Sequence, residues 1–367
     1  MTIIHPLHQL DVRRFETPVI LKRLTAASRN LAELKGVAAT IPNQAILLNT
    51  LALQEAKDSS AIENIVTTHD ELYRDDDGGA ETMNPAAKEV LRYRQALRAG
   101  FERVRDSGLL SLNTVLDIQA ALEPDRAGLR KLPGTVLKDS AGHTVYTPPQ
   151  DATEVRRLLG ELERFWHDEP HVELDPLISM ALVHHQFESI HPFYDGNGRT
   201  GRIVNVLYLA KERLLDIPVL YLSRHIVRTK SEYYQRLQDV RDSDAWEAWV
   251  LYMLTAVEQT SAETMATIHA IRALLLETKQ RIRAAYRFYS QDLINNLFSH
   301  PYTKIEFVQT DLSVSRLTAT KYLDALVEGG FLQKKKLGRS NYYVNVPLYD
   351  ILVGAEAEPR GRQGDNG

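Results

Sequence analysis

Apolar residues recur every three or four positions through most of the chain, as in the stretches 86–105 and 262–285. This spacing predicts helices, because positions i, i+3, i+4 and i+7 lie on one side of a helix. The chain is therefore predicted to be mainly α. Further helices are predicted over residues 21–34, 44–57, 112–122, 174–190, 203–215 and 246–260.

One region between these helices carries β-prone residues instead. Residues 135–138 and 143–146 flank a polar stretch in which Gly142 favours a turn. The pattern predicts a β-hairpin, which is marginally stable alone and must dock on another element. A surface hairpin without a function fits the same pattern equally well.

The C-terminal part has a pattern of its own and resembles a winged helix-turn-helix domain over residues 286–350. Two strands around a basic turn follow three predicted helices, and residues 315–326 are the candidate recognition helix. The three helices are predicted over residues 292–298, 305–312 and 317–328. After this domain, residues 351–367 are predicted to form a disordered tail.

The charge of this domain favours DNA without deciding the question. Between Pro301 and Val346, seven Lys and Arg residues outnumber four Asp and Glu residues. A basic wing of this kind would contact DNA phosphates. A winged helix that docks a protein or forms a homodimer is an equally good interpretation, so both are left open.

The composition limits the classes of protein to consider. The 367 residues, 44% of them hydrophobic, are enough for two or three domains. No run approaches 18 apolar residues and no secretion signal is evident, so we expect no membrane span. The absence of Cys excludes disulfides and thiolate metal sites and is typical of a cytoplasmic protein. The net charge of −4 gives no global attraction to nucleic acid.

The stretch 190–202 reads Ile-His-Pro-Phe-Tyr-Asp-Gly-Asn-Gly-Arg-Thr-Gly-Arg and separates two predicted helices. Gly196 and Gly198 allow backbone conformations in which successive N–H groups form a nest for an anion. The helix that begins near Arg199 adds the positive end of its dipole. Arg199 and Arg202 share one face of the first turn, and guanidinium groups suit phosphate oxygens. The loop is therefore predicted to bind phosphate.

Two further side chains of this stretch predict catalysis. Asp195 is the kind of oxygen ligand that Mg²⁺ needs when it also binds substrate phosphates. His191 stands just ahead of the nest, where a general base would stand. A lone Gly-x-Gly is usually a simple turn, but here every component falls within one loop.

The pattern His191-Pro-Phe-x-Asp195-Gly-Asn-Gly-Arg199-x-x-Arg202 resembles the signature of the Fic family. The resemblance implies a protein adenylyltransferase in which a Ser, Thr or Tyr hydroxyl of a target protein attacks the α-phosphate of ATP. It implies that His191 is the base, that Asp195 holds Mg²⁺, and that the arginines grip the β- and γ-phosphates. The implied nucleotide-binding residues of the loop are Gly196, Asn197, Gly198, Arg199, Thr200, Gly201 and Arg202.

The resemblance also implies a fold, namely a Fic-type helical bundle with a β-hairpin flap over residues 134–149. The flap would pair with an extended target segment through Val145, Tyr146 and Thr147, because strand addition uses main-chain hydrogen bonds. We expect the catalytic core to span residues 106–285. An N-terminal helical region, residues 1–105, would precede it.

An inhibitory motif is implied at residues 59–64. Ser59 and Glu63 are four residues apart, so on a helix they lie on one face, and by itself this is an ordinary solvated helix end. The sequence Ser-x-x-x-Glu-Asn, ending at Asn64, is similar to the inhibitory helix of many Fic proteins. By that similarity Glu63 pairs with Arg202 and occupies the arginine that the γ-phosphate of ATP needs.

Two other groups of residues have more than one interpretation. His184, His185, Glu188 and His191 invite a zinc site, but no clear third ligand follows from their spacing, and a structural helix is preferred. Tyr233 and Tyr234 would be one core and one surface ring. The resemblance places both near the adenine and ribose.

Two alternative functions stay open beside AMP transfer. The same site could remove AMP from modified proteins, with Glu63 positioning a water molecule. Alternatively, the chain could be a DNA-binding regulator whose winged helix carries the function.

Overall fold

The computed structural model describes residues 4, 6–69, 71–72, 84–139, 141–167, 174–337 and 340–354. The chain divides into two compact units. The first contains Met1–Gly36, Ala52–Thr67 and Asn84–Thr264, and the second contains Val37–Leu51, Thr68–Met83 and Met265–Gly367. The predicted domain limits at residues 105 and 285 stay predictions.

Helices account for most of the described residues, as the hydrophobic spacing predicted. Up to residue 285 they are α1 (Pro18–Ala39), α2 (Ala45–Ile62), α3 (Pro85–Ser107), α4 (Leu112–Leu122), α5 (Ala152–His167), α6 (Pro176–Ile190), α7 (Asn197–Lys211), α8 (Leu222–Arg228), α9 (Lys230–Ser243) and α10 (Trp246–Ala285). The sequence did not indicate α5, α8 or α9. Among the described residues, no helix is long and apolar enough to cross a bilayer.

Helix α6 carries the predicted base at its C-terminal end and is buried on every side. All its residues from Leu177 to Ile190 are buried, because apolar positions occur around the whole helix rather than along one stripe. The Asp175 side chain caps its N-terminus by accepting a hydrogen bond from the Leu177 N–H. Helix α6 packs against α5 and α7, and α7 also packs against α3 and α4. Two packed helices therefore hold the predicted active loop at both ends.

The predicted hairpin is present but shorter than expected. Strand β1 (Leu137–Lys138) pairs antiparallel with β2 (Thr144–Tyr146), with Leu137 opposite Tyr146. Asp139 Oδ1 accepts hydrogen bonds from the Ala141 and His143 N–H groups, both at 2.9 Å. This side chain organises a wider turn, which removes residue 143 from the strand.

Helix α10 was predicted as two helices, 246–260 and 262–285, and this is wrong. It is one helix of 40 residues. The Thr260 hydroxyl donates a hydrogen bond to the Ala256 carbonyl at 2.6 Å, so its polar side chain is satisfied within the helix. Thr260 and Ser261 are also buried, and neither residue ends the helix.

The second unit includes a C-terminal group of short elements around a three-stranded antiparallel sheet of order β3-β5-β4. They are α11 (Gln291–Ser299), β3 (Tyr302–Thr303), α12 (Ile305–Leu312), α13 (Arg316–Glu328), β4 (Gln333–Leu337), β5 (Ser340–Val344) and α14 (Val346–Val353). The three predicted helices and two predicted strands are all present. Strand β3 and helix α14 were not expected.

Helix α14 corrects the predicted start of the tail at residue 351. The Asn345 side chain accepts a hydrogen bond from the Leu348 N–H and starts the helix, and buried Leu348 and Leu352 anchor it. Residues 351–353 are therefore helical. The rest of the predicted tail, residues 355–367, lies outside the described residues.

Two of the basic residues that favoured DNA are engaged in surface ion pairs. Lys334 lies 2.7 Å from Asp324, and Arg316 lies 2.8 Å from Glu306. Residues 338–339 of the predicted basic turn lie outside the described part of the chain. The winged-helix identity of this group, and its binding to DNA, stay predictions.

Candidate active site

The active loop is a sharp reversal between α6 and α7. His191 ends α6 in the left-handed conformation (φ 48°), and its N–H donates to the Phe187 carbonyl at 3.0 Å. Gly196 is also left-handed (φ 77°), and α7 begins at the next residue, Asn197. The first N–H groups of α7 have no partner within the helix, so they can form the predicted nest for an anion.

Asn197 closes the loop with its side chain. Its Oδ1 accepts from the Phe193 N–H and its Nδ2 donates to the Phe193 carbonyl, both at 2.9 Å. Both polar atoms of the amide are thus bonded within the loop, and Asn197 is 3% exposed. Sequence reasoning assigned Asn197 to the nucleotide and missed this structural role.

Arg130 supports the backbone of the loop. Its Nε donates to the His191 carbonyl at 2.8 Å, and one Nη donates to the carbonyls of Ile190 and Pro149. The backbone of Leu129 also forms an isolated bridge with Phe193. Arg130 is 2% exposed, so this guanidinium is a fixed part of the site. Nothing in the local sequence distinguishes it from other arginines.

The imidazole of His191 is prepared to accept a proton. Burial lowers its pKa to about 4, and the nearby positive charges of Arg130 and Arg241 act in the same direction. A hydrogen bond with the Glu188 backbone acts in the opposite direction without cancelling the shift. The ring is therefore neutral at pH 7, which is the form that a general base requires.

Gly201, the third glycine of the loop, is required by close packing. A Cβ at Gly201 would lie 2.7 Å from Glu188 Oε1 and 3.1 Å from the Phe187 ring. Gly201 therefore lets α7 approach α6 closely. Burial raises the pKa of Glu188 to about 7. The Arg202 guanidinium acts against this rise, whereas the Glu63 carboxylate adds to it.

Arg202 is paired with the predicted inhibitory residues. Its Nη2 lies 2.9 Å from Glu63 Oε1 and donates to the Ser59 carbonyl at 2.9 Å, while its Nε donates to Ser59 Oγ at 2.8 Å. The Arg202 side chain is 1% exposed. Burial alone would raise the pKa of Glu63, but the Arg202 guanidinium outweighs it and holds that pKa below its ordinary value.

The end of α2 explains why Asn follows Glu in the motif. Asn64 has a left-handed backbone (φ 63°), its N–H donates to the Ala61 carbonyl, and the Ile65 N–H donates to the Ser60 carbonyl. These bonds form a Schellman C-cap, in which Asn is one of the few residues that tolerate the left-handed position. Asn64 therefore ends the helix and thereby fixes where Glu63 points.

Arg199 has carboxylate partners of its own. Its Nη1 lies 3.1 Å from Glu89 Oε2, and its Nη2 lies 2.6 Å from Glu123 Oε1. Asp195, the predicted metal ligand, lies 3.6 Å from the same Nη2 and 3.1 Å from Arg126 Nη1. Neither glutamate was expected, because acidic residues on helices are common and these come from distant parts of the chain.

The tyrosine pair separates as one core and one surface ring. Tyr233 is 1% exposed, and its hydroxyl lies 2.8 Å from His184 Nε2. Tyr234 is 45% exposed. Only Tyr234 therefore has the exposed surface that the predicted nucleotide contact needs.

The flap residues alternate between the core and solvent. Val145 and Thr147 are exposed, whereas Tyr146 is buried, and its hydroxyl donates to the Ser189 carbonyl at 2.9 Å. The Arg241 guanidinium lies 4.0 Å from the centre of the Tyr146 ring. Tyr146 therefore anchors the flap to α6, and the exposed side chains left for a target are Val145 and Thr147.

The fold and the site together define a helical protein in which a neutral imidazole stands beside a helix N-terminus whose first turns carry two buried arginines. Residues 21–102 match the Fic/DOC family N-terminal region, residues 109–209 match the Fic/DOC family, and residues 274–348 match the C-terminal domain of SoFic-like protein adenylyltransferases. The chain belongs to the Fic/DOC family.

Similar proteins and structures agree with this assignment. Protein adenylyltransferase fic-1 of Caenorhabditis briggsae is 33% identical over 83 residues, which are 23% of this chain and 15% of that protein. Protein adenylyltransferase Fic of Drosophila sechellia is 28% identical over 112 residues, 30% of this chain and 21% of that protein. The chain thus matches less than a quarter of the length of either relative.

Solved structures support the fold over a longer part of the chain. A Fic family protein from Desulfovibrio desulfuricans has a TM-score of 0.57 at 20% identity and covers 89% of this chain and 96% of its own. Fic-1 from C. elegans has a TM-score of 0.54 at 19% identity, with 70% and 76% covered. The similarity in structure extends beyond the loop to the helical architecture that holds it.

Proposed function

We propose that this chain transfers AMP from ATP to a Ser, Thr or Tyr hydroxyl of a target protein. The observation that carries the proposal is the loop between α6 and α7. It places the neutral imidazole of His191 beside a helix N-terminus flanked by two buried arginines, Arg199 and Arg202. A base next to a phosphate-binding loop is the arrangement that phosphoryl chemistry needs, since most of its catalysis is positioning and charge stabilisation.

In the proposed reaction, the target oxygen forms a bond to the α-phosphorus while His191 takes the hydroxyl proton. The bond from the α-phosphorus to the bridging oxygen breaks, and pyrophosphate leaves with that oxygen. The N–H groups at the start of α7, together with Arg199 and Arg202, would bind the β- and γ-phosphates and stabilise the charge on the leaving group. Arg130 would keep the loop backbone in place during transfer.

Asp195 fits the role of a Mg²⁺ ligand. Its carboxylate is half-exposed at the start of the anion loop, and Oδ1 accepts a hydrogen bond from the Gly196 N–H at 2.8 Å. Such an exposed oxygen donor beside a phosphate site suits an ion that keeps several waters and binds substrate phosphates. Magnesium bound there would neutralise phosphate charge.

Glu63 would inhibit the reaction by competing with phosphate for Arg202. A carboxylate and a phosphate use the same guanidinium nitrogens, so the two cannot occupy Nη2 together. With Glu63 removed, Arg202 would keep its two hydrogen bonds to Ser59 and hence its orientation. We therefore expect Glu63→Gly to free a binding group that is already in position.

The target would dock on the flap by adding a strand beside β2. Only β1 pairs with β2 among the described residues, and Val145 and Thr147 face solvent. Strand addition depends mostly on the main chain, so this edge would accept varied target sequences.

The experiment is incubation of the purified chain with radiolabelled ATP, Mg²⁺ and a cell lysate, followed by detection of labelled protein. Glu63→Gly should label itself or a target at least about ten-fold faster than wild type, because one charge-assisted interaction is released. His191→Ala in the same background should abolish labelling, and His8→Ala, which changes an exposed histidine, should not.

Equal labelling by His191→Ala would overturn the proposal. Removal of AMP from labelled protein that requires both Glu63 and Asp195 would instead favour the reverse reaction. In that case Glu63 would have a catalytic rather than an inhibitory role.

A further inference from the structure

We propose that Glu89 and Glu123 form a second inhibitory contact, the Arg199 clamp, which acts on Arg199 as Glu63 acts on Arg202. The inference rests on the proposed function, since it assumes that Arg199 binds phosphate. It goes beyond the inhibitory motif, because neither glutamate lies within residues 59–64.

The clamp occupies both terminal nitrogens of the guanidinium. Glu89 Oε2 lies 3.1 Å from Nη1, and Glu123 Oε1 lies 2.6 Å from Nη2. The Arg199 side chain is 4% exposed, so water screens these ion pairs weakly. Arg199 Nε is buried and has no hydrogen-bond partner among the described residues. An incoming phosphate therefore meets a fork whose two outer nitrogens are already taken.

The two acids come from elements other than the inhibitory helix. Glu89 lies in the first part of α3, and Glu123 is the residue that ends α4, with its N–H bonded to the Gln119 carbonyl at 2.8 Å. Release of Glu63 from Arg202 would leave both contacts to Arg199 intact. The two arginines are thus restrained by separate parts of the first unit.

The same network also restrains the predicted metal ligand. Asp195 lies 3.6 Å from Arg199 and 3.1 Å from Arg126. Three carboxylates, those of Glu89, Glu123 and Asp195, thus face two guanidinium groups. The carboxylates stand where phosphate oxygens would pair with Arg199, and the guanidiniums stand where a cation would pair with Asp195.

The charge balance determines the sign of the effect. A net negative cluster opposes a polyphosphate, and each glutamate competes for a nitrogen that phosphate would use. A pair of residues that merely oriented Arg199 would have the opposite effect, because its loss would weaken phosphate binding. Measuring the direction of the change therefore separates inhibition from positioning.

The test is calorimetric titration of inorganic pyrophosphate, with Mg²⁺ present, into full-length chains that carry Glu63→Gly. We expect Glu123→Gln to tighten pyrophosphate binding by about ten-fold, the equivalent of one charge-assisted hydrogen bond. Adding Glu89→Gln should tighten it further. Asp125→Asn and Glu102→Gln remove the same charge beside Glu123 and within α3 without touching Arg199, and they should change binding little.

Weaker or unchanged pyrophosphate binding in Glu123→Gln would overturn the Arg199 clamp. If Glu123→Gln does not fold, as judged by its thermal melt, Glu89→Gln alone decides, because Glu89 is the more exposed of the two glutamates. The same criterion applies to that variant.

The proposed function can fail separately. Tighter pyrophosphate binding without AMP transfer would support the clamp and remove the transferase proposal. AMP transfer by Glu63→Gly, combined with unchanged pyrophosphate binding in Glu123→Gln, would support the transferase proposal and overturn the clamp. Absence of pyrophosphate binding in every variant would overturn the clamp, because Arg199 would then bind no phosphate even when released.

Discussion

The carboxylate of Glu63 fills the space that a side chain at Gly198 would need. A Cβ built on Gly198 would overlap Glu63 Oε1 and would lie 2.9 Å from Arg202 Nη1. The second glycine of the loop is therefore required by the ion pair. It follows that Gly198 and Glu63 are coupled in stability as long as Glu63 is paired with Arg202.

We predict that Gly198→Ala destabilises the wild type by roughly 1–3 kcal/mol, as overpacking of a filled site does. In the Glu63→Gly background the same change should cost less, because the nearer obstruction, the carboxylate, is gone, although Arg202 Nη1 remains close. The measurement is a double-mutant cycle of urea midpoints. The coupling should reach about 1 kcal/mol, as expected for residues in contact.

Gly160→Ala is the matched control for this cycle. Gly160 lies within α5, and a Cβ there meets nothing within 4 Å. Alanine should stabilise that helix by about 0.5–1 kcal/mol in both backgrounds. An equal cost of Gly198→Ala with and without Glu63 would contradict the steric relationship.

The lowered pKa of His191 predicts how AMP transfer depends on pH. Burial, with Arg130 and Arg241, lowers this pKa to about 4, so the base stays neutral far below pH 6.5. As the pH falls, we expect the rate of AMP transfer by Glu63→Gly to drop near pH 4 rather than near pH 6.5. Arg241→Gln removes one positive charge and should move that limb to higher pH, whereas Arg236→Gln on the same helix should not.

The same shift affects stability in a defined direction. The unfolded chain takes up a proton on this histidine near pH 6.5, and the folded chain does so only near pH 4. The contribution of His191 to stability is therefore complete above pH 6.5 and is lost as the pH falls through this window.

The activity measurement has its own contrary outcome. If the rate of AMP transfer falls near pH 6.5 instead of near pH 4, the His191 ring is not buried in the active state.

The loop could be predicted from the sequence because its chemistry is contiguous. His191, Asp195, Arg199 and Arg202 stand within 13 residues, and the glycines between them permit the left-handed backbone that a tight loop needs. The pairing of Glu63 with Arg202, 139 residues away, could be expected only through the family resemblance. The left-handed cap at Asn64 gives that part of the motif a physical reason.

The supporting residues could not be predicted in the same way. Glu89 and Glu123 lie 110 and 76 residues from Arg199, and each is an ordinary acid on or beside a helix. Arg130 acts through backbone carbonyls, which any sequence supplies. Such contacts depend on how helices pack, and hydrophobic spacing specifies the buried face of a helix without its partner. The prediction of two helices in place of α10 was wrong for a different reason. The Thr260 hydroxyl donates a hydrogen bond to the Ala256 carbonyl, so this polar residue fits within one continuous helix.

A buried carboxyl in α2 predicts a pH dependence of stability. Burial raises the pKa of Glu55 from 4.5 to about 8, and its Oε1 accepts a hydrogen bond from the Tyr93 hydroxyl at 3.1 Å. The unfolded chain loses this proton near pH 4.5, whereas the folded chain keeps it to about pH 8. Stability from this group is therefore present at low pH and is lost as the pH rises through that window.

We expect Glu55→Gln to flatten the change of the urea midpoint between about pH 5 and pH 8.5, the window set by this raised pKa. The absolute midpoint will also change, because the Ser223 N–H donates to Glu55 Oε2 and an amide cannot reproduce both acceptors. Glu33→Gln, an exposed glutamate on α1, should leave the slope unchanged. Glu188, whose pKa is also raised, to about 7, keeps part of the slope in Glu55→Gln, so a slope equal to that of the wild type would contradict the prediction.

The contact between Arg126 and Asp195 predicts how the reaction depends on Mg²⁺. Arg126 is an exposed residue whose Nη1 lies 3.1 Å from Asp195 Oδ2, while Oδ1 accepts from the Gly196 N–H. Arg126→Gln removes a positive charge from the oxygen that a cation would need. Because exposed ion pairs contribute about 0–1 kcal/mol, the Mg²⁺ concentration for half-maximal transfer should fall by up to about five-fold.

This dependence is measured in the Glu63→Gly background at fixed ATP, with Mg²⁺ varied. Arg98→Gln, which breaks an exposed pair with Glu102 on α3, controls for the loss of one surface charge. A higher Mg²⁺ requirement in Arg126→Gln would mean that Arg126 itself binds the phosphates. Arg126 would then be a third phosphate-binding arginine rather than a competitor of the cation, and the charge balance around Asp195 would have to be assigned differently.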